Sequence, residues 1–287
     1  MNITRIGLDL AKSVFQVHAV DHKGHCLFSR ALKREKMMAF FQNLSPCLIG
    51  MEACASAHFW ARTLMSMGHE VKLIAPQFVK PYVKGNKNDA NDAEAICEAV
   101  SRPNMRFVPV KTVEQQDIQA LHRIRQEQVR QRTALVNQIR GLLSEYGIVI
   151  SRRVESLRNA LPDILEDVEN RLTADFRILL KGLQEDLMHL DDRIDTQDQA
   201  IKRLAQEHEG ARRLQQLRGI GPITATALIA AIGDGHQFAR GRDAAAWCGL
   251  VPGQHSSGGK ARLLGISKRG DTYLRTLLIH GRSEERR

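Results

Sequence analysis

The chain has 287 residues, of which 43% are hydrophobic, and a formal net charge of +10 from 42 Lys and Arg against 32 Asp and Glu. No apolar run approaches the ~20 residues of a membrane span, and five scattered cysteines without a CxxC pair argue against a structural zinc site. The excess positive charge favours a polyanionic partner, most often nucleic acid. We therefore expect a cytoplasmic, nucleoid-associated protein with no membrane partner.

The first 110 residues predict a mixed sheet flanked by helices. Short alternating runs separated by tight turns are typical of strands, and the predicted order is β-β-β-α-β-α-β-α. The predicted strands cover residues 3–9, 13–21, 25–32, 46–53, 69–76 and 105–110, and the predicted helices cover 35–44, 56–68 and 89–101.

The sequence becomes helical from Thr112, which has capping-box spacing to Gln115. The first long helix is predicted to reach Tyr146, with an apolar stripe of Ile118, Leu121, Leu135, Ile139 and Leu142. A second, over 172–209, repeats apolar residues at spacings of four and three, as a heptad seam does. We expect an antiparallel coiled-coil arm or a dimer-forming element, and a homodimer or homotetramer. Four arginines could additionally contact phosphates: Arg123, Arg125, Arg130 and Arg132.

The last region contains the motif LRGIGP, followed by an apolar helix. Gly219 and Gly221 allow a close backbone approach to a phosphate, so this turn resembles a helix-hairpin-helix; an ordinary helix turn is the alternative. Residues 254–270 are predicted to form a polar loop, and a final helix is predicted over 271–281.

Four acidic residues in the first 110 positions are candidates for a metal site. Asp9 and Glu52 each end an apolar strand, and these ends meet if the first and fourth strands are neighbours. Asp89 and Asp92 share a helix face; the alternative is that they merely cap the helix. Converging carboxylates repel by roughly 4 kcal/mol per pair at 4 Å, and a Mg²⁺ or Mn²⁺ ion would neutralise them. A phosphate motif of the actin and sugar-kinase fold is a rival, but Leu10-Ala11-Lys12 does not provide its turn.

Five motifs in order resemble the DEDD transposases of the IS110 and IS1111 insertion sequences and the related Piv DNA invertases. They are IGLDLAK, GMEAC, KNDANDAEAI, LRGIGPITATALIAAIGD and GLVPGQHSSGGKARLLGISKRGDTYLRTLL. The resemblance covers nearly the whole chain. It implies a RuvC-like (RNase H-like) catalytic domain over 1–111, a coiled-coil linker over 112–210 and a C-terminal transposase domain over 211–287. Relatives usually continue beyond the last predicted helix, which leaves open a truncated C-terminal domain.

The resemblance also implies a mechanism. Asp9, Glu52, Asp89 and Asp92 would be the metal ligands, and Ser256 or Ser257 would attack DNA to give a phosphoserine intermediate. Lys260 would approach a phosphate, and a structured guide RNA would pair with the DNA. The alternatives are a RuvC-like nuclease that uses no serine and an inactive nucleic-acid-binding remnant.

Overall fold

A computed structural model describes residues 2–85 and 88–284, with side chains described as far as Gly281. The chain divides into two compact units, Met1–Thr112 and Val113–Arg287. In the described residues, none of the helices combines the length and the apolarity that crossing a bilayer requires.

The first unit is the predicted combination of strands and helices. Two 3-10 turns, Arg34–Lys36 and Lys80–Tyr82, were not predicted. Neither was the short helix that begins at Pro76. The strands are β1 (Arg5–Asp9), β2 (Val14–Val20), β3 (Cys26–Lys33), β4 (Leu48–Glu52), β5 (Glu70–Ile74) and β6 (Phe107–Val108), and the helices are α1 (Met37–Gln42), α2 (Ala57–Ser66), α3 (Pro76–Val79) and α4 (Asp89–Ala99).

The six strands form one mixed sheet in the order β3-β2-β1-β4-β5-β6. The first three strands are antiparallel neighbours, β1, β4 and β5 are parallel, and β6 returns antiparallel to β5. The predicted placement of the first strand beside the fourth is confirmed by the pairing of Gly7 with Gly50. The carboxyl ends of β1 and β4 therefore lie side by side.

The central strands are buried on both faces. On one face, Ile6 and Leu8 of β1 join Ile49 and Met51 of β4 in a core that includes Trp60. The other face carries the alternate residues, because successive side chains of a strand point in opposite directions.

Helix α4 covers this second face at very short range. A Cβ atom on Gly7 would collide with the Ala93 carbonyl oxygen and lie 2.5 Å from the Cys97 nitrogen, and one on Gly50 would lie 2.8 Å from Val100 Cβ. The helix can therefore rest on the two strands only because both positions are glycine.

The second unit is mainly helical, with one small sheet. Its helices are α5 (Val113–Ser144), α6 (Val154–Glu166), α7 (Ala174–Glu207), α8 (Glu209–Leu214), α9 (Pro222–Ile232), α10 (Gly241–Trp247) and α11 (Thr272–Glu284), and its strands are β7 (Pro252–Gln254) and β8 (Leu263–Ile266).

The long helices α5 and α7 pack against each other in antiparallel fashion. Arg125 pairs with Asp198 and Arg132 with Asp191, so positions rise along one helix as they fall along the other. On α7, Leu180, Leu187, Ile194 and Ile201 are buried at intervals of seven residues, as the heptad pattern predicts.

The predicted apolar stripe of α5 is wrong at Leu142, and Leu121 and Leu135 lie beside the buried seam and not within it. Leu121 and Leu135 are only half buried and Leu142 is exposed, whereas the next residues, His122, Val136 and Leu143, are buried. Spacings of four and three from Ile118 reach these buried residues, and they also reach Arg125 and Arg132. The seam therefore has a polar centre that a search for apolar residues misses.

Two further elements differ from the sequence prediction. No element was predicted over 151–166, where α6 buries Leu157 and Leu161. The predicted loop over 254–270 is wrong, because β7 and β8 pair as an antiparallel hairpin. Gly258 and Gly259 both have positive φ, which is what a two-residue hairpin turn requires.

Candidate active site

Asp9 is positioned by the sheet and by the helix that packs on it. It follows Gly7 by two residues, so it lies on the face that α4 covers. Glu52 has the same relation to Gly50 on the adjacent parallel strand, because Gly7 and Gly50 are register partners.

The amino end of α4 supplies two more carboxylates. Its N-cap is Asn88, whose side chain accepts a hydrogen bond from the Asn91 amide nitrogen at 2.8 Å. Asp89 and Asp92 lie in the first turn, but neither is the cap. The capping alternative therefore does not account for them, although both gain from the helix dipole.

Three of the four predicted carboxylates come together. One oxygen each from Asp9, Asp89 and Asp92 lies within 4.8 Å of the others. Asp9 and Asp92 are half buried and Asp89 is exposed. The group joins a strand end and a helix start that are 80 residues apart in the chain.

The electrostatics of Asp9 reflect this crowding. Burial, followed by the negative charges of Asp92, Asp89 and Glu52, raises the pKa of Asp9 to about 6. Glu52 is not a member of the group of three, but its charge acts on Asp9. Burial and the carboxylates of Glu52 and Asp9 likewise raise the pKa of the Cys54 thiol.

The donor set suits a hard divalent cation. Carboxylate oxygens are the ligands that Mg²⁺ and Mn²⁺ prefer, and repulsion from the three neighbouring carboxylates adds to burial in raising the pKa of Asp9. A bound cation would relieve that repulsion.

The two candidate serines lie at the tip of the β7–β8 hairpin, and both are exposed. The Ser256 hydroxyl accepts hydrogen bonds from Gln254 Nε2 at 2.8 Å and from the Arg262 amide at 3.4 Å. The Ser257 carbonyl accepts from the Lys260 amide at 3.0 Å, across the Gly-Gly turn. Ser256 is thus the serine whose side-chain oxygen is held in place.

The hairpin is basic at its tip and fixed at its base. Residues 244–270 include Lys260, Arg262, Lys268 and Arg269 and no acidic residue. At the base, a Cβ on Gly249 would collide with the Arg269 backbone, and one on Gly270 with the Trp247 carbonyl oxygen. The exposed Lys260 therefore belongs to a positively charged element with a rigid attachment.

The four candidate arginines of α5, a helix that also contains Arg140, differ in their surroundings. Arg125 and Arg132 are mostly buried against α7 in their ion pairs, at 19% and 25% side-chain exposure. Arg130 pairs with Glu127 on the same helix at 2.6 Å, and Arg123 is exposed. Arg123 and Arg130 are therefore better placed than the other two to meet a phosphate.

The turn between α8 and α9 contains the two predicted glycines. Gly219 has a φ of 83°, and Gly221 is the N-cap of α9. A Cβ on Gly281 of α11 would collide with the Gly219 carbonyl oxygen, so the turn is packed against the last helix.

Sequence reasoning missed the residues that support the carboxylates. Gly7 and Gly50 bring α4 onto the sheet, and Asn88 begins that helix. The repeated pattern in IGLD and IGME, a glycine two residues before each acid, was the available signal.

Two family models match most of the chain. The DEDD transposase model of the IS110 type matches residues 6–148. The model described as "Transposase IS116/IS110/IS902 family" matches residues 211–283. The first match contains the four carboxylates, and the second contains the α8–α9 turn and the hairpin serines.

Several curated transposases are similar to this chain over nearly all of its length. The chain is 55% identical to a probable family 20 transposase of Pseudomonas aeruginosa, with 98% of this chain and 83% of that protein covered. It is 48% identical to the transposase for insertion sequence element IS1111A of Coxiella burnetii, covering 98% and 77%, and 44% identical to the transposase for IS1328 of Yersinia enterocolitica, covering 97% and 82%. The chain therefore belongs to the IS110 family of DEDD transposases, enzymes that cleave and rejoin DNA.

Proposed function

We propose that this transposase cuts and rejoins DNA with a divalent-cation site formed by Asp9, Glu52, Asp89 and Asp92 and a nucleophilic serine, Ser256. The observation that carries the proposal is the gathering of Asp9, Asp89 and Asp92 oxygens within 4.8 Å of one another. Glu52 completes the set from the neighbouring strand end, and the first unit is the RuvC-like, RNase H-like catalytic domain.

The carboxylates would hold Mg²⁺ or Mn²⁺. Such an ion stabilises negative charge on the attacking and leaving oxygens of a phosphodiester. Asp9 ionises fully only above its raised pKa, so this side chain couples cation binding to pH. Asp89 and Asp92 are oriented by α4, which Asn88 caps and the two glycines seat on the sheet.

The serine performs the covalent step. Its Oγ forms a bond to phosphorus, the bond from phosphorus to the DNA leaving oxygen breaks, and a phosphoserine ester results. The serine proton goes to a base, and the leaving oxygen takes up a proton. Attack by the hydroxyl of another strand reverses these steps, restoring the serine and rejoining the DNA without an external energy source.

The contacts of the hairpin favour Ser256 over Ser257. Hydrogen bonds from Gln254 and Arg262 hold the Ser256 oxygen as an acceptor, which leaves its own proton available to a base. In the described residues, the Ser257 hydroxyl has no side-chain partner.

The remaining basic and helical elements are proposed to bind nucleic acid and to assemble the enzyme. Lys260, Arg123 and Arg130 are exposed and suited to phosphates, and the Gly219–Gly221 turn is a helix-hairpin-helix-like backbone contact. The α5–α7 pair is a coiled-coil linker over 112–210 that supports a homodimer or homotetramer, and Arg125 and Arg132 stabilise the pair through their ion pairs with Asp198 and Asp191. A structured guide RNA would select the DNA. We expect a discrete RNA to co-purify with the transposase, and we expect RNase treatment to remove this RNA and to abolish strand exchange.

Replacing the carboxylates tests the cation site. Asp9→Asn and Asp92→Asn are expected to abolish strand exchange and to weaken Mn²⁺ binding, measured by isothermal titration calorimetry, by at least about tenfold. Glu94→Gln is the matched control, because Glu94 is an exposed acid on the same helix that pairs with Lys84 outside the cluster. Unchanged Mn²⁺ affinity in Asp9→Asn would refute the site.

Replacing the serines separates this mechanism from a nuclease that uses carboxylates alone. Ser256→Ala is expected to abolish strand exchange and the serine–DNA adduct seen by mass spectrometry, whereas Ser257→Ala retains both. Full strand exchange in the double Ser256→Ala, Ser257→Ala variant would instead support the nuclease.

A further inference from the structure

The second unit contains a cavity of about 190 Å³ among α5, α9 and the start of α11. Its lining includes three alanines, Ala227, Ala230 and Ala231, and the aromatic residue Tyr273. The volume is below the ~300–1,000 Å³ of typical small-molecule sites, so it suits a ligand of one or two rings.

A chain of hydrogen bonds leads into this cavity from the protein interior. His122, which is only 3% exposed, lies between Thr226 Oγ1, 2.9 Å from its Nε2, and the Tyr273 hydroxyl, 2.9 Å from its Nδ1. Thr226 Oγ1 also lies 2.8 Å from the Pro222 carbonyl oxygen.

The positions of the protons determine which groups donate and which accept in these hydrogen bonds. We assign the Thr226 hydroxyl proton to the Pro222 carbonyl oxygen at 2.8 Å, and on this assignment Thr226 accepts from His122 Nε2–H. The other imidazole nitrogen of the neutral ring is then an acceptor, and Tyr273 donates to it. Burial, with the nearby Arg125 charge, lowers the pKa of His122 to about 4, so this arrangement persists at neutral pH.

The consequence is that the Tyr273 oxygen can only accept a hydrogen bond from a ligand. Asp271 in the lining is another acceptor, whereas Arg123 is a donor and Gln119 and Gln126 are both. The lining therefore combines small apolar side chains, an aromatic ring, two acceptor oxygens from Tyr273 and Asp271, and donors from Arg123 and the two glutamines.

We propose that this cavity binds one unpaired nucleobase that carries an exocyclic amino group, within a strand of the nucleic acid that the transposase handles. Unpaired bases pack on aromatic and apolar side chains and are identified by hydrogen bonds at their edges. Arg123, which is exposed and also lines the cavity, suits the adjoining phosphate. The inference rests on the DNA binding of the family and is independent of the cation site and the serine.

Oligo(dC) and oligo(dU) of equal length provide the test, because cytosine has an amino donor where uracil has a carbonyl acceptor. Binding to the full chain is measured by fluorescence anisotropy in EDTA, so that failure of the cation or serine mechanism does not affect the result. Wild-type protein is expected to prefer oligo(dC) by about threefold to tenfold.

Two variants test whether the preference for oligo(dC) over oligo(dU) arises in this cavity. Tyr273→Phe removes the acceptor, and Ala231→Leu fills the cavity but leaves the hydrogen-bond chain intact; both are expected to bind the two oligonucleotides equally. Tyr146→Phe is the matched control, because Tyr146 packs on Phe176 away from the cavity, and it should keep the preference.

Three outcomes would overturn the proposal. One is a wild-type protein without a preference, and another is a preference that survives in Ala231→Leu and Tyr273→Phe. The third is displacement of oligo(dC) by an equal concentration of cytidine 5′-monophosphate, which would identify a site for a free nucleotide instead.

Discussion

Asp9 is the residue at which the chemistry and the stability of the fold conflict. Its pKa is raised from 3.8 to about 6, so the folded protein holds a proton there that the unfolded chain releases. Below pH 3.8 both states are protonated and the residue has no effect on stability. Between pH 3.8 and about 6 the unfolded chain loses this proton while the folded protein keeps it, so stability falls as the pH rises, and the loss is complete at neutral pH.

We therefore expect Asp9→Asn to stabilise the cation-free protein. The gain should be about 1–2 kcal/mol at pH above 6, after solvent screening reduces the full value of the shift, and it should vanish below pH 4. Thermal unfolding in EDTA at both pH values measures it. Adding Mg²⁺ should raise the melting temperature of the wild type more than that of the variant, and a destabilised Asp9→Asn protein at neutral pH would contradict this account.

At the level of elements, the contact of α4 with the sheet depends on Gly7. Gly7→Ala places a methyl group against the Ala93 carbonyl and the Cys97 nitrogen, and we expect a loss of about 2–3 kcal/mol in the free energy of unfolding. Urea denaturation measures the loss, and Mn²⁺ affinity should fall with it because α4 carries two of the carboxylates.

Gly141→Ala is the control for this substitution. Gly141 lies within α5 with no atom near its missing Cβ, so alanine should leave stability unchanged or raise it by up to ~1 kcal/mol. Equal effects at the two positions would mean that helix propensity, and not close packing, explains the glycines.

The polar centre of the α5–α7 seam gives a second prediction for an element. Asp191 is 17% exposed and accepts from both Arg132 and Arg158, at 3.2 and 2.6 Å. Asp191→Asn leaves Arg132 partly buried without a counter-charge, and we expect a loss of about 2 kcal/mol in urea denaturation. Asp192 is an exposed neighbour, so Asp192→Asn should change stability little. Similar losses of stability in the two variants would argue against a stabilising role for the ion pair between Asp191 and Arg132.

The elements show what local sequence could and could not predict. Alternation located the strands of the first unit, and the two strand-end acids could be placed together because β1 and β4 are parallel neighbours. The burial of Arg125 and Arg132 depends on Asp198 and Asp191, which are far away in the chain, so no local pattern reveals it. The β7–β8 strands are short and exposed, and their composition resembles that of a loop.

At the scale of the whole molecule, each unit contains a histidine that resists protonation. Burial, followed by the charges of Lys111 and Arg62, lowers the pKa of His58 to about 4, where its Nδ1 accepts from the Lys111 amide at 3.1 Å. His122 has the corresponding role in the second unit. These depressed values contribute stability that is fully present above pH 6.5 and is lost as the pH falls towards 4.

We expect the second unit to lose about 1–3 kcal/mol of stability between pH 7 and pH 4.5, and the first unit to lose less, because protonation of Asp9 in the folded state offsets part of the His58 loss over the same pH range. The two tryptophans, Trp60 and Trp247, report one unit each, so fluorescence-detected unfolding of Trp247→Phe and Trp60→Phe follows the units separately. His58→Asn should reduce the pH dependence of the first unit only. A first unit whose pH dependence is unchanged by His58→Asn would contradict the assignment.

Because the base of the β7–β8 hairpin is fixed by close glycine contacts, the length of the two strands determines how far Ser256 lies from that base. Removing one residue from each strand would draw the tip in by about 3.3 Å and turn its side chains to the opposite face, while the glycine contacts at the stem remain. We expect a variant with this shortened hairpin to lose strand exchange without an appreciable fall in melting temperature. The number of residues in each strand would then determine where the nucleophilic oxygen lies.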